Sequence, residues 1–245
     1  MSDIQQDAAR PAPWGYLATT GWAIVGAIAS SIVALAAVLL LRPDALNAEI
    51  DILKDGLLIS VSSIATAAGL VAVLALAARL SGWPVGAYLG LVMPARRDVV
   101  RAFAVLIPFL LAYDAMTWLL GRDIVSRFQV DAYTSAKASG ALMLLWFAIV
   151  ITAPVSEEIA FRGFLFRGWV RSPRGAWAGI LTIAALFAII HIQYNWYEML
   201  QVFLVGTLLT WTRWWSGSAL LTMMMHAAVN LWAMLQTAAR LHWFA

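Results

Sequence analysis

The 245-residue sequence has no cysteine, which excludes disulfides, thiolate metal sites and cysteine nucleophiles. Charge is scarce too: Asp, Glu, Lys and Arg make up 12% of the chain, against about 25% in soluble domains. No polar stretch is long enough to form a soluble domain. The longest basic cluster is "ARRDVVR", residues 95–101, so a nucleic-acid surface is excluded and no nucleic-acid partner is expected. The apolar runs lack the period-2 alternation of barrel strands, which leaves helices as the way to cross a bilayer. There is no HExxH helix, no internal repeat and no low-complexity tract.

What is present is apolar: 63% of the residues are hydrophobic, more than a soluble chain of this length can bury. A helical span needs about 20 such residues. Candidate spans fall at 15–41, 56–80, 99–120, 139–168, 176–192, 198–214 and 218–239. The first is longer than the ~7–15 residues of a signal-peptide core and reads as a retained span. The expected fold is therefore all-α, a polytopic membrane helix bundle of about seven transmembrane helices, with eight as the alternative count. The expected organisation is a polar N-terminal tail at 1–14, N-terminal transmembrane helices at 15–135, and a transmembrane core at 136–240. Basic residues divide nine to six between the two sides, which favours a multi-pass protein of the cell membrane with a cytoplasmic N-terminus. The segment "SGWPVGAYLGLVMPARRD" carries Gly82, Gly86 and Gly90 at four-residue spacing. It reads as an interfacial loop, with a helix-packing face of small residues as the alternative.

Ionisable residues inside spans are expensive and face a protein interior or a cavity. Here they are Glu157, Glu158, Arg162, His191 and His226, with Asn230 nearby; Asp114 is isolated and receives no role. Glu158 and Arg162 are four apart, share a helix face and can pair, whereas Glu157 points about 100° away. Pro154 removes a backbone donor just upstream, so a local opening before Glu157 is expected. His226 and Asn230 also share a face. At a rise of about 1.5 Å per residue, Glu157 lies roughly 15–20 Å, His191 about 21 Å and His226 about 12 Å from the same membrane side. One shared site within the bundle requires such matching depths. His242 lies in the tail "RLHWFA", where an interfacial role is the default.

This set permits a definite chemistry. Glu157 serves as general base towards a water shared with a neutral histidine, and a second histidine with an amide stabilises an oxyanion. Those are the parts needed for peptide-bond hydrolysis by water. A metal reading uses the same residues, with His191, His226 and Glu157 as zinc ligands. Both readings stand at this point, and the cofactor is either none or a divalent metal such as zinc.

"EEIAFR" (157–162) resembles the EExxxR motif of the CPBP family, the CAAX proteases and bacteriocin-processing proteins also called the ABI family. "FAIIH" (187–191) is similar to its FxxxH motif, and "HAAVN" (226–230) to its HxxxN motif. The resemblance covers roughly Leu142 to Leu235, with the motifs in the family's order. It implies a multi-span intramembrane endopeptidase acting on a membrane protein or a lipidated, CAAX-type peptide in the bilayer. Under it Glu157 is the general base, His191 helps hold the water, His226 and Asn230 form the oxyanion hole, and Glu158 and Arg162 support the site. Competing classes are a proton-coupled transporter, a haem protein with His191 and His226 as axial ligands, and a non-catalytic immunity or scaffold protein on the same fold.

Overall fold

The computed structural model describes residues 13–45 and 52–243, and every regular element among them is helical. The N-terminal tail to residue 12 and the middle of the first polar connection lie outside the described residues. In chain order the helices of more than four residues are α1 (Tyr16–Leu41), α2 (Gly56–Leu80), α3 (Arg96–Leu119), α4 (Arg127–Ala138), α5 (Leu142–Trp169), α6 (Ala176–Ile189), α7 (Trp196–Ser216) and α8 (Ala219–Trp243).

Local sequence explains where several of these begin. The Asp55 carboxylate accepts from the backbone amides of Leu57 and Leu58 and so starts α2. Ser126 with Gln129, and Asn195 with Glu198, form complete capping boxes at the starts of α4 and α7. Both pairs satisfy amides that a helix start leaves without partners.

Among the described residues five helices are long and apolar enough to cross a membrane: α1, α2, α3, α5 and α8. The expected count of seven is thus met for five. The expected span at 176–192 is a 14-residue helix, α6, which rises only about 21 Å against a hydrocarbon core of about 30 Å. The expected span at 198–214 is the 21-residue α7, whose apolar character is diluted by Glu198, Gln201, Arg213 and several threonines. α4 is a short helix outside the expected set.

Outward faces carry bare aliphatic side chains such as Leu17, Leu40 and Met143, as a lipid-facing surface would. Inside, small residues let helices approach: a Cβ on Gly69 would lie 2.9 Å from the Ser30 Cα, and one on Gly26 would lie 3.1 Å from Leu70. Close backbone approach of this kind holds membrane helices together where apolar burial gives no advantage over lipid.

Contacts sort the helix ends into two groups. At one end Gly168 abuts Thr19, Arg213 donates to the Arg162 carbonyl at 3.0 Å, and the Ala219 amide donates to the Gly90 carbonyl at 2.8 Å. At the other, Gly56 abuts α4, Tyr113 donates to the Tyr197 carbonyl at 3.0 Å, and Arg240 donates to the Val125 carbonyl at 3.1 Å.

The glycine-spaced segment is a connection that is enclosed at its centre and exposed at Gly82, Pro84, Val92 and Met93, and it differs from the packing-face alternative. Tyr88 and Leu89 are fully enclosed, and Arg167 donates to the carbonyls of Ala87 (2.7 Å) and Tyr88 (3.1 Å). Gly82 and Gly90 adopt positive φ, and Gly90 leaves room for the Arg213 guanidinium; Gly86 has open space beside it. Turn chemistry therefore accounts for Gly82 and Gly90, while Gly86 lies in the one-turn helix Val85–Tyr88 and packs against nothing.

Candidate active site

The site begins with an irregularity in α5. Residues Ala148–Thr152 and Ile159–Leu165 are wound as π-helix, on either side of the α-helical Ala153–Glu158. Pro154 accounts for the first of these. It has no N–H, and its ring clashes with the preceding turn of a regular helix; a wider turn relieves the clash. In that turn Ala153 donates five residues back to the Ala148 carbonyl, so the next carbonyl, Ile149, would be served by residue 154, which has nothing to donate. The Asn230 amide on α8 fills the gap, donating to the Ile149 carbonyl at 2.7 Å. The bulge thus fixes the amide's position, and its second N–H remains for other use.

The second irregularity carries the ion pair. Arg162 and Glu158 are both fully buried, and Arg162 Nη1 donates to Glu158 Oε1 at 2.8 Å. The rest of the guanidinium is engaged as well: Nε donates to Thr210 Oγ1 at 3.2 Å and Nη2 to the Gly206 carbonyl at 2.9 Å. A Cβ on Gly206 would stand 3.3 Å from Nη2 and 3.1 Å from the Phe187 ring, so glycine keeps this seat open. Phe187 lies under the guanidinium, with its ring centroid 4.5 Å from Cζ.

Glu158 does more than balance Arg162. The same Oε1 also accepts from His226 Nδ1, at 2.9 Å. A carboxylate only accepts, so Nδ1 carries the proton and the other ring nitrogen, Nε2, is directed away from Glu158. That Nε2 lies 3.9 Å from Glu157 Oε2, beyond hydrogen-bond reach. Glu157 Oε2 is itself enclosed and has no hydrogen-bond partner among the described residues. An enclosed acceptor without a donor is costly, and it marks a place where a water's proton would be welcome.

His191 sits two residues past the end of α6, in the turn that follows. Its backbone amide bonds three residues back, to Ala188, which leaves the Phe187 carbonyl without its usual donor. The imidazole supplies one: Nδ1 bonds the Phe187 carbonyl at 2.6 Å. A carbonyl only accepts, so Nδ1–H is fixed and neutral His191 presents a lone pair at Nε2. Tyr194 stacks on the ring, with centroids 6.0 Å apart and planes at 9°. Phe187 stands between the two histidines, 4.7 Å from the ring of His191 and 5.7 Å from that of His226.

Glu157, His191, His226 and Asn230, from α5, the α6 end and α8, line one cavity of about 490 Å³. Glu158 and Arg162 are outside its lining and stand behind it. Among the described residues no lysine or arginine lines it, while Glu198, Gln201 and Gln129 do. Among the described residues no three His, Asp, Glu or Cys side chains are gathered tightly enough to hold a metal ion. His242, exposed near the end of α8, is outside the lining.

Sequence reasoning missed Thr210 and Gly206, whose spacing carries no signal, and the buried contact between Glu158 and His226. It also left Tyr194 unremarked, although an aromatic three residues past a histidine in a short turn is a fair stacking candidate.

Residues 139–232 match the family model described as Type II CAAX prenyl endopeptidase Rce1-like. No curated protein and no solved structure matches the chain. The matched residues include Glu157, Glu158, Arg162, His191, His226 and Asn230. Over residues 139–232, less than half of the chain, the protein is thus similar to the Type II CAAX prenyl endopeptidase Rce1-like family.

Proposed function

We propose that the protein is an intramembrane endopeptidase that hydrolyses a peptide bond in a membrane-associated substrate, of prenylated CAAX type or a membrane-bound peptide precursor. The observation that carries this reading is the enclosed, donorless oxygen of Glu157 in a cavity shared with the lone pair of His191 and with His226 and Asn230. A water there donates to Glu157 and to His191 Nε2. As its oxygen attacks the carbonyl carbon, Glu157 takes one proton. His226 Nε2–H and the second Asn230 N–H donate to the oxyanion that forms. Collapse of the intermediate breaks the C–N bond, and Glu157 returns the proton to the leaving amine.

The oxyanion role requires both ring nitrogens of His226 to carry protons, Nδ1–H towards Glu158 and Nε2–H towards the cavity. The charges then close: Arg162 balances Glu158, and the imidazolium balances Glu157. A neutral group of four is the favourable arrangement in a water-poor interior. In this reading α6 and α7 join the five longer helices to make seven crossings, with the N-terminus and the Gly168 end of α5 on the cytoplasmic side. The two contact groups at the helix ends agree with that alternation.

The experiment is cleavage by the purified protein in liposomes. Three peptides of one sequence are offered: prenylated, anchored by an apolar helix, or free in solution. Cleavage of a membrane-bound peptide, with fragments defined by mass spectrometry, is expected; intact peptides in all three arms contradict the proposal.

A further inference from the structure

Asp114 lies inside α3, in a membrane-length apolar helix, and the proposed chemistry leaves it unused. Its Oδ2 accepts from two side chains of α8: Trp232 Nε1 at 2.8 Å and Gln236 Nε2 at 2.7 Å. Both donors line the same cavity as the candidate catalytic residues. Asp114 lies outside the segment that matches the family model, whereas Trp232 closes that segment.

We infer that Asp114 is a positioning residue that sets the rotation and register of α8, and through α8 the aim of His226 and Asn230; this rests on the hydrolase reading of the site. The geometry is that of a two-point clamp. Trp232 and Gln236 are four apart, so they stack one turn above the other on one side of α8. A single bond to a helix allows it to roll about the contact. Two bonds from one oxygen to donors a turn apart oppose both rolling and sliding. His226 lies about 120° and 80° around the helix from the two donors, so any roll of α8 moves its ring sideways against Glu158. Apolar packing alone would hold α8 less firmly, because lipid competes equally for aliphatic surface. A carboxylate within an apolar helix is costly, and two donors on one oxygen offset part of that cost.

The test uses Asp114→Leu and Asp114→Asn in the full chain in liposomes, read in two ways. The first is kcat and KM on a cleaved membrane-bound peptide. The second is the imidazole nitrogen spectrum of ¹⁵N-histidine protein, where three histidines give an assignable set. Asp114→Leu is expected to lower kcat about tenfold with KM within about twofold of wild type, a loss in keeping with a slightly misplaced group. It is also expected to shift the His226 signals and leave those of His191 in place. Asp114→Asn keeps an acceptor oxygen and is expected to fall between the two in both readouts. A wild-type kcat with wild-type His226 signals, or a change in KM alone, overturns the inference. If Asp114→Leu does not fold, Asp114→Asn decides by the same criteria. If the wild-type protein cleaves nothing, the hydrolase reading fails on its own. The His226 signals then still decide the positioning: a shift in the variants supports it and an unmoved spectrum overturns it.

Discussion

One oxygen of Glu158 serves two partners, and that fact ties stability to chemistry at the smallest scale. Glu158→Gln leaves the fully buried Arg162 without a carboxylate and His226 without its anionic acceptor. Breaking a buried pair from one side costs about 3–5 kcal/mol. The expected outcome is a marked fall in melting temperature and expression, with loss of activity in whatever folds; a variant of unchanged stability would contradict the role assigned to Glu158. His226 also bears on metal dependence. In the proposed arrangement its Nε2 holds a proton for the oxyanion, so it has no lone pair to give a metal. Prolonged chelation followed by metal analysis and the liposome assay is expected to leave cleavage intact. Stoichiometric zinc with activity restored by zinc alone would contradict that, and His191, His226 and Glu157 would become the ligands. The pairing of Glu158 with Arg162 was legible because a four-residue spacing fixes a shared helix face. The bond from Glu158 to His226 crosses 68 positions of sequence and follows from packing, which no local pattern encodes.

At the scale of elements, α5 is shaped by a proline and α6 by its own brevity. Pro154 signals an opening upstream of Glu157, and the structure has a π-helical turn there. The consequence for Asn230 was hidden, because the acceptor is a backbone carbonyl and carbonyls leave no mark in a sequence. Pro154→Ala restores an N–H that competes with Asn230 for the Ile149 carbonyl. The variant is expected to be slightly more stable in thermal unfolding yet several-fold slower in the cleavage assay, since Asn230 loses its anchor. Equal stability and full activity would show that the bulge has another cause. α6 was expected to run through His191; it ends at Ile189, and the early end is what frees the Phe187 carbonyl to hold the imidazole. Apolar composition continues smoothly across that point, so hydropathy alone gives no boundary.

Across the whole molecule, an all-helical membrane chain was legible from composition, because so apolar a sequence has nowhere else to go. The number of crossings was harder to read: α6 is short and α7 carries polar side chains, so neither looks like an ordinary span taken alone. The absence of cysteine makes the topology directly measurable. A single cysteine placed at Ser172, in the connection after α5, is expected to react with an impermeant reagent from the cytoplasmic side; one at Ser139, before α5, is expected to react from outside. The reverse pattern would invert the proposed orientation. The three N-terminal helices lie outside the family match, yet α3 reaches the cavity through Leu110 and grips α8 through Asp114. They belong to the working unit in this account. The central claim remains that Glu157 activates the water. Its most direct test compares wild type with Glu157→Gln in liposomes on a cleaved membrane-bound peptide, with melting temperature recorded alongside. Gln keeps the size and cannot take the proton, so the account predicts an unchanged melting temperature and no detectable product. Cleavage by Glu157→Gln at a rate near that of the wild type would contradict it.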